Sequence, residues 1–286
     1  MESRMEWEVV LAALYLRGLE RPVDVRRSGW RAVENVLRAS GSSLARASRA
    51  LARAGLDAEA LVLEAPGVAA GAEKLVQGGR ALTCLSPGYP SRWVHVLGSG
   101  APPALWIWGA TPPAGPALAV VGSRRIGDDV RRFARNLGSE ASARGLVVVS
   151  GGAAGCDRAA VRGAMPRAFE ILPRGLRAGP VGPVTQLSVC APDEGFSTAS
   201  AMERNALVYA AADLAVVVHA RFKEGGTWHG AVDAIRRRTT RLAVRWDPRN
   251  EASRALAGLG AIPLGHPSEL GAALQKEAAQ TGLFKT

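Results

Sequence analysis

The sequence predicts an α/β fold, a Rossmann-like doubly wound and mostly parallel sheet, with a small helical domain ahead of it. Three observations carry this reading. After Pro116, short β-branched runs alternate with stretches of helical periodicity. Those runs are continuously apolar rather than alternating, as strands covered on both faces must be. Between Glu6 and Gln77, by contrast, apolar residues recur at helical spacing.

Taken in order, Trp7, Val10, Leu11 and Leu14, then Leu44, Ala47, Leu51 and Ala54, each mark one helical face, with Gly18, Gly41, Gly55 and Gly67 as punctuation. Residues 1–80 therefore read as a helical domain, SAM-like or similar. Such a shape often packs on nucleic acid, and the same pattern describes any small bundle. Residues 81–116, rich in Pro and Gly, read as a connecting segment. Its Trp93, Trp106 and Trp108 can stack on bases or anchor the segment to the next domain, and anchoring is the preferred reading.

Residues 117–286 form the Rossmann-like domain. "ALAVVG" leads to a helix over Asp128–Ala143, "LVVVS" to one over Asp157–Ala164, and "AFEIL" to a turn. "TQLSVC" leads to a helix near Ser200–Ala211, "DLAVVVHA" to Trp228–Arg238, and "RLAVRW" to Glu251–Ala257. Ligands of such sheets bind at the carboxyl ends of the strands, so the residues just after each run are the candidates.

Four segments stand there. In Gly122-Ser123-Arg124, glycine admits backbone N–H groups to an anion, serine adds a donor, and arginine holds a phosphate bidentately. The spacing is neither GxGxxG nor a P-loop. The second is the glycine-rich turn Ser150, Gly151, Gly152 and Gly155, followed by Asp157, which can orient a hydrogen bond or ligate a metal but whose preferred reading, near a helix start, is a cap-type residue. Arg204-Asn205 opens a helix, and Gly225-Gly226-Thr227 places free N–H groups at another helix start. The basic cluster Arg236, Arg237, Arg238 and Arg241 lies at the far end of that helix, where it complements the macrodipole.

Charge points to a polyanionic partner. Residues 111–250 hold 20 Lys and Arg against 12 Asp and Glu, out of a net charge of +11 for the whole chain. A genome biased toward Arg would give the same excess. Cys84, Cys156 and Cys190 are far apart and odd in number, which argues against a disulfide framework or a zinc site and fits a reducing cytoplasm. The acidic start "MESRMEWEVV" is unlike a signal peptide, and no apolar run approaches membrane-spanning length. His95, His219, His229 and His266 show no metal-ligand spacing, and no serine sits in a nucleophile elbow. A cytoplasmic protein without metal, cofactor or membrane association is expected.

In this order and spacing the segments resemble the DNA-processing protein A family, also called DprA or Smf. Tyr89-Pro90 and Pro103 to Gly109 echo its upstream "YP…P.LY..G" stretch. Val121 to Arg124 match "VGSR", Ser150 to Val161 echo "SGLA.GID..AH", Arg204-Asn205 echo "RNR", and Gly225-Gly226-Thr227 stand at an "SGS/T" turn. The resemblance implies a Rossmann-like fold with a basic pocket for single-stranded DNA. It also implies a homodimer and the loading of a RecA-type recombinase in natural transformation, DNA recombination or repair. Carried over by position, Gly122, Ser123 and Arg124 cradle a backbone phosphate, Arg204 adds a cation, and the Gly152–Gly155 turn with Gly225–Thr227 shapes the pocket floor. The chain departs from the pattern at Cys156, Val161 and Ala206, where the family has Ile, His and Arg. It also lacks the Tyr-Pro after Gly175, and its end is read as leaving no room for the winged-helix domain of many relatives.

A different class stays open. The LOG-type phosphoribohydrolases use PGGxGTxxE, but here Gly230 falls where that glutamate belongs, so a non-catalytic nucleic-acid binder is the preferred reading. A nucleotide-sensing module in the same pocket is a third.

Overall fold

The structure, a computed structural model, describes residues 75, 77–83, 86, 88–102, 104–176, 183–190 and 193–275. The helical unit expected from residues 1–80 lies, up to residue 74, outside the described residues.

Among the described residues, one nine-stranded sheet organises the fold. Its strands are β1 (Ala81–Thr83), β2 (Ala104–Trp108), β3 (Ala117–Gly122), β4 (Val147–Ser150), β5 (Ala168–Ile171), β6 (Thr185–Ser188), β7 (Leu214–His219), β8 (Arg241–Arg245) and β9 (Ile262–Leu264). They lie in the order β1-β2-β6-β5-β4-β3-β7-β8-β9. From β6 to β9 all neighbours are parallel, whereas β1 and β2 add antiparallel strands at one edge. This is the doubly wound, mostly parallel sheet that the sequence predicts.

Each continuously apolar run serves two faces because its side chains alternate. Ala117 and Ala119 of β3 face one hydrophobic cluster while Leu118 and Val120 face another. On the first face lie α1 (Arg92–Leu97), α4 (Thr198–Ala210), α5 (Gly225–Arg236) and α6 (Glu251–Gly258), which contribute Trp93, Leu207, Ile235 and Leu256. On the second lie α2 (Asp128–Ala143), α3 (Cys156–Ala164) and α7 (Leu270–Gln275), which contribute Leu137, Ala160 and Leu270.

The amphipathic pattern of α2 buries Val130, Phe133, Ala134, Leu137, Gly138 and Ala141, while Asp128 and Asp129 in its first turn complement the macrodipole. α2 and α3 approach so closely that glycine is required on both. A Cβ on Gly138 would strike the carbonyl oxygen of Ala160, and one on Gly163 would strike that of Arg135.

Residues 81–116 do more than connect. β2 pairs with β6 through Trp106 opposite Ser188, and β1 pairs with β2, so this Pro- and Gly-rich stretch extends the sheet. Prolines flank β2 without interrupting its ladder, which is why the composition resembles a linker while the backbone makes a strand. The anchoring role read for Trp93 is what the structure shows. Its side chain is fully buried, its Nε1–H donates to the Leu207 carbonyl at 2.8 Å, and Tyr89 meets it edge-on with ring centroids 5.5 Å apart. Arg92 Nε donates to the Ala212 carbonyl at 2.8 Å, fastening α1 to the turn before β7.

Gly163→Ala is expected to destabilise the protein by about 1–3 kcal/mol through overpacking of the α2–α3 crossing. Gly258→Ala, where a Cβ meets nothing within 4 Å, serves as the control and should be neutral or stabilising by up to about 1 kcal/mol. Urea denaturation of the two variants checks both.

Candidate nucleic-acid interface

The strand order reverses between β3 and β7, since chain connections run outward in both directions from this pair. A doubly wound sheet opens a crevice at such a point, outside the carboxyl ends of its strands. Here the crevice encloses about 780 Å³. Between Val121 and Gly122 the β3–β7 register slips, so that Val121 pairs with Val217 and Gly122 with His219. That bulge brings His219 into the crevice wall beside Ser123, with Nδ1 and Ser123 Oγ 2.9 Å apart. Burial lowers the His219 pKa, so the ring is neutral at neutral pH and supplies no cation.

At the floor sits Asp157, in the first turn of α3 and almost fully buried. Its carboxylate accepts from the N–H of Gly122 at 3.2 Å, of Gly151 at 3.2 Å and of Ala153 at 3.4 Å. Arg204, buried in α4, donates through Nη1 to the Gly151 carbonyl and lies within electrostatic range of Asp157. A Cβ at 151 would overlap that guanidinium, so a larger residue there requires Arg204 to shift. Burial pushes the Asp157 carboxyl up to about 6, although Arg204 and the N–H donors oppose the rise. Burial likewise lowers Arg204.

These bonds change the expected anion site. The N–H groups of Gly122 and Gly151 are taken by Asp157, and that of Ser123 donates to the His219 carbonyl at 2.9 Å. They are therefore not bare donors waiting for a phosphate. A buried carboxylate needs such donors more than a solvated anion does, and so it takes them first. Ser150 is also committed, since its fully buried hydroxyl donates to the Val120 carbonyl at 2.8 Å. Gly155 is a packing position, with φ +85° and no room for a Cβ beside the carbonyls of Ser123 and Arg124.

The crevice nonetheless gathers Gly122, Ser123, Arg124, Gly151, Arg204, Asn205, Gly225, Gly226 and Thr227 from the sequence-derived set. Its available donors are side chains at the mouth and the first turn of α5. Arg124, Arg125 and Arg221 are exposed there, Arg221 in a 3.1 Å ion pair with Glu224. α5 begins at Gly225 with no side-chain cap, which leaves its first N–H groups directed outward. Asn205 Nδ2 donates to the Gly226 carbonyl at 3.3 Å and ties α4 to that turn. At the floor, Arg204 Nε and the Tyr209 hydroxyl are buried and have no hydrogen-bond partner among the described residues.

Sequence reasoning missed Phe196. More than half exposed, its ring lies 5.7 Å from the Arg124 guanidinium carbon at the crevice mouth. An isolated Phe in a polar loop carries no periodicity, and only the fold brings it beside Arg124. Gly152 faces a second cavity of about 550 Å³, which shares Arg124, Gly151, Ala153, Phe196 and Arg204 with the crevice.

Two of the departures noted in the sequence have local accounts. Cys156 packs against Gly122, which has no space for a Cβ, and Val161 lines the second cavity. Ala206 is exposed on α4. Among the described residues no helix is long and apolar enough to cross a membrane.

The family model of the DNA recombination-mediator protein A matches residues 80–180. Among solved structures, the chain is similar to DNA processing protein A from Helicobacter pylori, described in its single-stranded DNA binding mode. That likeness has 25% identity and a TM-score of 0.54, and it covers 61% of this chain and 87% of that one. It is also similar to DNA processing protein A from Streptococcus pneumoniae, with 18% identity, a TM-score of 0.60, and 74% and 83% of the two chains covered. Among curated proteins, none matches at a significant level.

Asp157→Ala leaves three N–H groups without their acceptor and the buried Arg204 guanidinium without the negative charge beside it, and is expected to cost about 3–5 kcal/mol. The pH dependence has a definite sign. An unfolded aspartate loses its proton near pH 4 and the folded one near pH 6, so the folded state binds more protons in that window and loses stability as pH rises through it. Urea denaturation between pH 4 and 6.5 should show this decline in the wild type relative to Asp157→Asn.

Proposed function

We propose that this chain, a member of the DNA recombination-mediator protein A family, binds single-stranded DNA along the β3–β7 crevice and, as a cytoplasmic homodimer, loads a RecA-type recombinase onto it. The observation that carries the reading is the exposed Arg124–Phe196 pair at the crevice mouth. A guanidinium beside an open aromatic ring matches one phosphate and one unstacked base, which single strands offer and duplexes do not.

Phosphates pass along Arg124 and Arg125 and reach the uncapped first turn of α5 at Gly225, Gly226 and Thr227. Arg204 acts from below. It holds Gly151 in place through its hydrogen bond to that carbonyl. Contacts of this kind reach backbone and ring faces, so they tolerate most sequences and respond strongly to salt.

The two crevice carboxylates do not form a catalytic pair. Asp157 is committed to N–H groups and Glu224 to Arg221, while Gly230 is buried against Tyr209. This supports binding over hydrolysis of a nucleotide.

Titration of a labelled mixed-sequence oligonucleotide at several salt concentrations tests the assignment. Arg124→Ala should weaken binding of all sequences alike and flatten the log–log salt slope by about 0.7, the contribution of one phosphate on a single strand. Phe196→Ala should lose about 1–3 kcal/mol with the salt slope unchanged. Undiminished binding by Arg124→Ala, or displacement of the oligonucleotide at low concentration by all mononucleotides alike, would remove the assignment.

A further inference from the structure

The second cavity is built differently from the crevice. At its inner end, Glu170 of β5 and Gln186 of β6 lie side by side, 6% and 1% exposed, with Gln186 Nε2 donating to Glu170 Oε2 at 3.0 Å. Arg158 and Arg162 of α3 stand at its rim, both exposed. Leu172 and Val184 give it apolar walls.

The hydrogen bond to this buried carboxylate comes from a neutral amide, with Arg158 and Arg204 in electrostatic range, and its charge offsets the attraction of those arginines for phosphate. The carboxylate does not serve the DNA backbone. One amide bond also leaves acceptor capacity on the carboxylate, which has about four lone-pair sites. What satisfies it is a ligand edge with two adjacent N–H donors. Among the nucleobases guanine carries that edge, in N1–H and the N2 amino group. Adenine presents an acceptor at N1, thymine flanks its one N–H with carbonyls, and cytosine has one donor group beside an acceptor. The volume of about 550 Å³ lies within the range of small-ligand sites, about 300–1,000 Å³. Arg124, Gly151 and Phe196 form the wall shared with the crevice, so a base turned out from a strand at the Arg124–Phe196 pair has a short way to travel.

We propose that this cavity is a guanine-reading subsite. Glu170, held by Gln186, accepts from the N1–H and N2 amino group of the base, and Arg158 and Arg162 face its phosphate. The base comes from a guanine of the bound strand or from a free guanine nucleotide. The first source rests on the crevice being the path of single-stranded DNA, and the second does not.

The test measures affinity for oligo-dT, for the same strand with one central dG, and for one with inosine there, which keeps N1–H and lacks the amino group. In parallel, dGMP and dAMP are titrated calorimetrically into the full chain. A strand-borne guanine should bind about tenfold more tightly than oligo-dT, inosine should lose most of that gain, and Glu170→Gln should abolish it without weakening oligo-dT binding. The wild-type comparison stands alone should that variant fold poorly. Selective dGMP binding without a gain on the strand assigns the subsite to the free nucleotide. Selective dGMP binding with no oligonucleotide binding at all overturns the crevice assignment and keeps the subsite. Equal affinity for dG and dT strands, together with no preference for dGMP over dAMP, overturns the proposal.

Discussion

Everything at the carboxyl end of the sheet hangs on one buried carboxylate. Asp157 gathers N–H groups from the last residue of β3 and the loop after β4, and its charge is set against Arg204 from α4. Three chain segments far apart in sequence are thereby fixed to one point. Removal of the carboxylate leaves three N–H groups without their acceptor and Arg204 without the charge beside it, and groups linked in this way hold a geometry more firmly than their individual bonds suggest.

The glycines around this hub follow from it. Gly151 gives way to the guanidinium of Arg204, Gly122 to Cys156, and Gly155 to the carbonyls of Ser123 and Arg124. Their common function is close approach. With the floor drawn this tightly, the groups left for a ligand are those outside the network: Arg124, Arg125 and Phe196 at the mouth, and the open first turn of α5. The chain thus separates the residues that build the crevice from those available to fill it, although both kinds fall in the same short motifs.

The two cavities differ in charge logic although they share a wall. In the crevice both carboxylates are neutralised, Asp157 by N–H groups and Arg204, and Glu224 by Arg221, so the remaining field is positive. In the neighbouring cavity Glu170 accepts a hydrogen bond from an amide, has Arg158 and Arg204 in electrostatic range, and lines the open volume. Anion attraction and donor recognition are therefore placed side by side along one path.

The sequence by itself determined the layered α/β architecture, because a continuously apolar β-branched run has one economical environment, a strand covered on both faces. β3 to β8 were legible for that reason, together with the helices after β3, β4, β6, β7 and β8, and α2 falls where its periodicity puts it, at Asp128–Ala143. β1 and β2 were not, since a short run between prolines has the composition of a linker and becomes a strand only when β6 offers it an edge. At the site, glycine and arginine marked the right loops, and nine of the twelve marked residues line the crevice. What each one does there was a matter for tertiary structure alone. Whether the N–H groups of Gly122 and Gly151 meet a ligand or Asp157, whether Arg204 is a surface cation or a buried brace, and whether Phe196 stands beside Arg124 all depend on distances between segments remote in sequence. Local propensity carries no record of those distances.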